Sequence, residues 1–245
     1  MIPTWSAIGL GLPVGLCLGS YATTAAIRRA RSEASSRGRS HCDGCGAGLG
    51  FAQTVPIYSY LQRHGACGLC GARIDPLHPM GEMAGGLAVA MPFALLAPAT
   101  ALLVAALGLV LLATSVFDAK TKRLPDALTL AAALVCAGLA LAHGLPRLAV
   151  NAAIASAAIV VLEALRRVFR RAKGEAGLGF GDVKLIAALA LWLGALTPWM
   201  VTLASVAGLG AVALRRQAEH RIAFGPFIAA AAFALGLLME ARPWP

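Results

Sequence analysis

Eight mostly apolar runs, near residues 5–27, 83–98, 100–117, 127–143, 148–165, 183–197, 199–214 and 223–240, leave this chain few ways to fold. A helix needs roughly 20 mostly apolar residues to cross the hydrocarbon of a bilayer, and several of these runs approach that length. With 59% hydrophobic and only 13% charged residues, the chain lies outside the balance of a water-soluble domain. The expected fold is an all-α polytopic membrane protein of about eight transmembrane helices. A small cytoplasmic zinc-knuckle-like segment is expected between helices 1 and 2.

The basic residues give the chain a direction. Cytoplasmic loops collect Lys and Arg, and outside loops do not. With the N-terminus outside and eight spans threaded, all but two of the 21 Lys and Arg residues fall on the inner side, Arg147 and Arg242 being the exceptions. The net charge of +10 therefore reads as topology and contact with anionic lipid headgroups. Nucleic-acid binding is not expected. Arg28, Arg29 and Arg31 follow the first apolar run and no basic residue precedes it, the reverse of a cleavable signal, so this span is expected to stay as an anchor. The organisation expected is a first helix over 1–27, a polar cytoplasmic segment over 28–82 and a membrane bundle over 83–245.

Within the polar segment, Cys42 and Cys45 form one Cys-x-x-Cys knuckle and Cys67 and Cys70 a second, with 21 residues between them. Glycines at both turns (Gly44, Gly46, Gly68, Gly71) suit tetrahedral thiolate coordination, and a structural zinc ion is the reading preferred. Two disulfides or four free thiols are the alternatives, and a reducing compartment counts against disulfides. Cys17 and Cys136 lie inside apolar runs and read as small packing residues.

Carboxylates at the edge of a membrane bundle are costly, so each needs a reason. Asp118, Asp126 and Asp182 all fall at the inner ends of spans. Two carboxylates sharing a site do not both ionise readily, so one can hold a proton while the other acts as a base toward water. Gly179 and Gly181, just before Asp182, remove side chains where an extended peptide would approach. Asp126 follows Pro125 at a helix start and reads as a cap, whereas Asp118 ends a helix, where negative charge is disfavoured. Asp118 therefore points to function, or to pairing with Lys120, Lys122 or Arg123. Glu163 and Glu240 read as residues that snorkel to water.

Taken in order, the features resemble the prepilin peptidases, the type IV leader peptidase family of membrane aspartic proteases. The residues carrying the resemblance are "GLCLGSYATTAAIRR", "VPIYSYLQRHGACGLCGARIDPLHPMGE" with both knuckles, "SVFDAKTKRLPDALTL", "GFGD" and "IAFGPFIAA". The resemblance implies that Asp118 and Asp182 are the catalytic aspartates. It also implies a bacterial inner-membrane enzyme that removes the basic leader of type IV prepilins and pseudopilins on the cytoplasmic side. Many members with the cysteine segment also methylate the new N-terminus with S-adenosylmethionine. Three places depart from the family pattern. Asp43 follows the first cysteine where proline is usual, His78-Pro79 replaces tyrosine-proline ahead of Glu82, and "ARSEASSRGRS" is diverged.

Two rival readings accompany this one. The first is a peptidase without methyltransferase activity, since no glycine-rich strand-turn-helix for S-adenosylmethionine is visible. The second is a proton- or cation-coupled transporter, although transporter sites sit near the membrane midplane and both aspartates fall at one face.

Overall fold

In the computed structural model, residues 4–33, 40–174, 177–214 and 222–242 are described, and they are helical wherever they are regular; the segment "ARSEASSRGRS" and Arg215, Arg216 and Arg221 fall largely or wholly outside them. The helices are α1 (Thr4–Ala30), the short α2 (Tyr58–Gln62), α3 (Leu77–Leu95), α4 (Pro98–Thr121), α5 (Asp126–Ala142), α6 (Leu145–Lys173), α7 (Phe180–Leu193), α8 (Thr197–Leu214) and α9 (Gly225–Ala241). Each apolar run has become one helix, and α2 belongs to the cysteine segment. The stretches 8–30, 98–121, 145–173 and 180–214 are long and apolar enough to cross a membrane, and α5 and α9 are shorter apolar helices. The chain is a multi-pass membrane protein.

Its apolar surface faces outward as lipid requires. Leu10 is 73% exposed, and Leu102, Leu134, Val160, Val206 and Leu209 also point away from the bundle. The interior is built around α7, whose Leu185, Ile186, Leu189 and Trp192 are fully buried among Leu107 of α4, Cys136 and Leu139 of α5, Met200 of α8 and Ile228 of α9. At 14 residues α7 is only about 21 Å long, shorter than the hydrocarbon, so its ends lie inside the bundle's thickness. Cys136 packs in this core as expected, whereas Cys17 lies exposed on α1.

The chain passes alternately between two ends of the bundle. After α7, Gly194 (φ 52°) breaks the helix and α8 returns, bringing Gly208 beside Phe224 and Phe227. α9 then runs parallel to α7, because Gly225 meets Asp118 at one end while Gly236 and Glu240 meet Trp192 at the other. The α1–α3 pair is held by a glycine seam in which Gly15 and Gly19 face Gly81, Gly85 and Gly86, leaving no room for a side chain between the backbones.

Two expectations about carboxylates are corrected. Glu240 does not snorkel: its side chain is 4% exposed, accepts the Trp192 indole N–H at 3.0 Å and pairs with His143 at 3.0 Å. Its carboxylate turns inward to Trp192 of α7 instead of outward, and the indole and His143 compensate the desolvation. Asp126 makes no capping bond; its carboxylate, 81% exposed, reaches Lys184 on α7 instead. Pro125 occupies the cap position and has no side-chain acceptor to offer.

Candidate active site and metal centre

At the end of the bundle where α4 finishes and α5, α7 and α9 begin, Asp118 and Asp182 are gathered around Leu124, which lies against both Gly181, the neighbour of Asp182, and Gly225, the partner of Asp118. Asp118 is 4% exposed in the last turn of α4. Its Oδ2 accepts the Gly225 amide at 2.9 Å, from the first residue of α9. The basic residues near it in sequence do not claim it: Lys120 pairs with Asp75, and Lys122 closes α4 in a left-handed conformation (φ 55°) with its amide on the Asp118 carbonyl.

Asp182 is the third residue of α7, and its Oδ2 accepts the Gly179 amide at 3.2 Å. It therefore caps the helix with one oxygen. Gly179 has an ordinary extended backbone (φ −67°, ψ 144°), so its lack of a side chain matters for space: a Cβ there would lie 2.8 Å from Asp182 Oδ2. A Cβ on Gly181 would lie 2.9 Å from Leu124 Cβ, and one on Gly225 would lie 2.9 Å from Asp118 Oδ2 and 3.2 Å from Leu124 Cδ2. Leu124 thus sits in the short α4–α5 loop against both glycines. Asp118, Asp182, Gly181, Leu124 and Gly225 form one cluster drawn from α4, α7, α9 and that loop.

Leu124 and Gly225 went unassigned as site residues in the sequence. A signal existed for each: Gly225-Pro226 opens a helix after a break, and Leu124 lies in a four-residue loop between an aspartate-bearing helix end and Pro125. Asp126 lies at the same end but engages Lys184, and the Phe180 ring lies between Lys184 (5.1 Å) and Arg166 (5.3 Å) in cation–π contacts. Glu163 holds Arg166 and Arg167 from the preceding turn.

The four knuckle cysteines form the second site. Their sulfurs all lie within 4.8 Å of one another, and Cys42 Sγ is 3.8 Å from Cys70 Sγ. A tetrahedron of metal–sulfur bonds of about 2.3 Å has edges of about 3.8 Å, so the four thiols can hold one metal ion. The knuckles are near copies of each other. The Cys42 and Cys67 amides donate to Ala47 O and Ala72 O, both at 2.9 Å, and Gly46 and Gly71 turn the chain back at φ 71° and 70°. Such positive φ is where glycine is cheap and other residues are not. The Gly44 and Leu69 amides point at Cys42 Sγ (3.3 Å) and Cys67 Sγ (3.5 Å). Amide donation from Cys70 and Leu69 holds the Cys67 thiol down at about 6, whereas, against the lowering Ala72 amide, the hydrogen bonds Cys70 makes with the neighbouring thiols, Cys45 first, push it up to about 11.

Between α1, the knuckles and the start of α3 lies a cavity of roughly 170 Å³. Its wall includes Arg28, Asp43, Tyr60, Arg63, Asp75 and Glu82, together with Cys42 and Cys67. The ion pair between Asp75 and Lys120 joins its rim to the last turn of α4, two residues from Asp118. The cavity and the aspartate cluster therefore open at the same end of the bundle.

Residues 105–214 match the type IV leader peptidase family, and residues 14–96 match the bacterial peptidase A24 N-terminal domain. A relative from Burkholderia pseudomallei named prepilin leader peptidase/N-methyltransferase is 40% identical over 202 residues, 78% of this chain and 64% of that protein. Proteins of the same name from Dickeya chrysanthemi (34% over 210 residues, 82% of this chain and 73% of that protein) and Aeromonas hydrophila (36% over 205 residues, 79% and 69%) are also similar. The chain thus spans just under two thirds of the length of the Burkholderia relative. No solved structure matches it.

Proposed function

Because the chain belongs to the type IV leader peptidase family, we propose that it removes the leader of type IV prepilins and pseudopilins with Asp118 and Asp182 as an aspartic dyad. The observation that carries this reading is that Asp118 from α4 and Asp182 from α7 lie at one end of the bundle, about the same Leu124–Gly181–Gly225 contact. The substrate's apolar helix lies in the membrane and its leader in the cytoplasm, in a bacterial inner membrane with the N-terminus of the enzyme outside. One carboxylate, ionised, takes a proton from water as the water oxygen attacks the scissile carbonyl. The other, protonated, donates to the carbonyl oxygen, and the proton later passes to the leaving amine as the C–N bond breaks. The Gly225 amide on Asp118 and the Gly179 amide on Asp182 each occupy one oxygen, so they fix both carboxyl groups in orientation. Gly179 and Gly181 keep side chains away from the approach of an extended substrate.

The 28–82 segment serves a second activity, methylation of the new N-terminus, with 83–245 as the peptidase bundle. Zinc held by Cys42, Cys45, Cys67 and Cys70 is structural and fixes one wall of the cavity. S-adenosylmethionine bound in that cavity would supply an electrophilic methyl group, on a sulfonium centre, to the new N-terminal amine. Asp43 and Asp75 would offer carboxylates to the cationic sulfur and incoming amine, and Arg28 and Arg63 partners for the methionyl carboxylate.

The test is co-expression of the chain with a tagged type IV prepilin, reading the pilin by intact mass. Loss of the leader together with a gain of one methyl group supports both activities, and an unprocessed precursor beside a folded enzyme refutes the peptidase reading.

A further inference from the structure

Glu82 is buried in the second turn of α3 and belongs to neither the dyad nor the metal centre. Its Oε1 accepts the Ser20 hydroxyl of α1 at 2.8 Å, and its Oε2 accepts the Ile57 amide at 2.7 Å. Ile57 is the unusual partner: its backbone has φ 60° and ψ −51°, a conformation that a β-branched residue reaches only under strain. The strained residue immediately precedes α2, and α2 carries Ser59 and Tyr60 into the wall of the cavity. The glycine seam between α1 and α3 brings Ser20 close enough to share the carboxylate, since Gly19 approaches Gly81 and Gly85 backbone to backbone.

Buried carboxylates persist where they are fully used, and this one is used to hold a backbone turn that its own sequence disfavours. We propose that Glu82 is a positioning residue for methyl transfer: by holding Ile57 in its strained positive-φ turn against α1 and α3, it sets α2 and thereby the wall of the methyl-donor cavity. This rests on the methyl-transfer reading of that cavity. The carboxylate acts on methylation and not on leader cleavage, because its contacts run to α1 and the 55–60 turn and none goes to the aspartate cluster.

The experiment compares wild type, Glu82→Gln, Ser20→Ala, Ile57→Gly and Glu82→Gln/Ile57→Gly in membranes, with a purified prepilin and S-adenosylmethionine as substrates. Cleavage and methylation are read from the same product by intact mass. Glu82→Gln is expected to cleave like wild type and to methylate roughly 10-fold more slowly, with Ser20→Ala showing a smaller loss of the same kind. Glycine adopts positive φ at little cost, so Ile57→Gly in the Glu82→Gln background is expected to restore methylation to within about threefold of wild type. Methylation by Glu82→Gln at the wild-type rate, or no rescue by glycine, overturns the proposal. If Glu82→Gln loses cleavage as well, Ser20→Ala decides: selective loss of methylation supports the positioning role, and parallel loss of both activities refutes it. A wild type that cleaves without methylating is a different result, since it removes the methyl-transfer reading itself.

Discussion

The Gly225 amide donates to Asp118 Oδ2 at 2.9 Å, joining the first residue of α9 to the last turn of α4 across 107 positions of sequence. That bond orients a buried carboxyl group, and the absence of a side chain on Gly225 makes it possible, because a Cβ there would lie 2.9 Å from the same oxygen. Gly225→Ala is therefore expected to slow prepilin cleavage by at least about 10-fold while the protein still inserts and folds. Cleavage at the wild-type rate would show that the bond is dispensable.

Leu124 links the two halves of the cluster by lying against both Gly181 and Gly225. Gly181→Ala puts a methyl group 2.9 Å from Leu124 Cβ, an overpacking that displaces the loop or the start of α7. The variant is expected to lose about 10-fold in cleavage, and Leu124→Gly in the same chain, which removes the clashing Cβ, is expected to return most of it. A double-mutant cycle on cleavage rates checks this, with a coupling of about 1 kcal/mol or more expected and simple additivity contradicting it.

How much of this was legible beforehand depended on the kind of signal. Apolar runs set the helices, because the membrane tolerates few alternatives, and the alternation of basic loops already put Asp118 and Asp182 at one end. The helix bounds shifted where polar residues are helical for tertiary reasons: α6 continues through the basic run to Lys173, and α3 begins at Leu77 rather than near 83. Asp126 and Glu240 were misread because their partners, Lys184 and Trp192, lie 58 and 48 positions away and no local rule pairs them. Leu124 and Gly225 lacked chemistry of their own, so only the packing of four segments reveals them. The knuckles were legible in full, since Cys-x-x-Cys with glycine at the turn encodes its geometry locally.

Metal binding by the four cysteines would carry a pH dependence with a definite sign. The Cys67 thiol, held near 6, loses its proton first, and Cys70, pushed up to about 11, keeps its proton through the neutral range. Metal binding must displace that proton, so apparent affinity is expected to rise with pH, by at least about 10-fold per unit between pH 6.5 and 8.5. Competition between added zinc and a chelating dye measures this, and Cys70→Ser is expected to lose zinc affinity. An affinity independent of pH would contradict thiolate ligation.

At the far end of the bundle, Glu240 is the acceptor for the buried Trp192 indole. Glu240→Leu leaves that N–H unpaired and is expected to cost about 1–3 kcal/mol, seen as a lower melting temperature in detergent. Cleavage well below that temperature should stay within about threefold of wild type, because the substitution lies at the opposite end from Asp118 and Asp182. A large loss of cleavage without a loss of stability would tie this end to the chemistry.

The account stands or falls on the aspartic dyad, and the most direct measurement is the cleavage rate of purified Asp118→Asn, Asp182→Asn and the double variant on one prepilin, with folding checked by melting. Two groups that act as a unit fail together, so each single variant is expected to fall by about 1,000-fold or more and the double variant little further. Either single variant cleaving within about 10-fold of wild type would contradict the dyad.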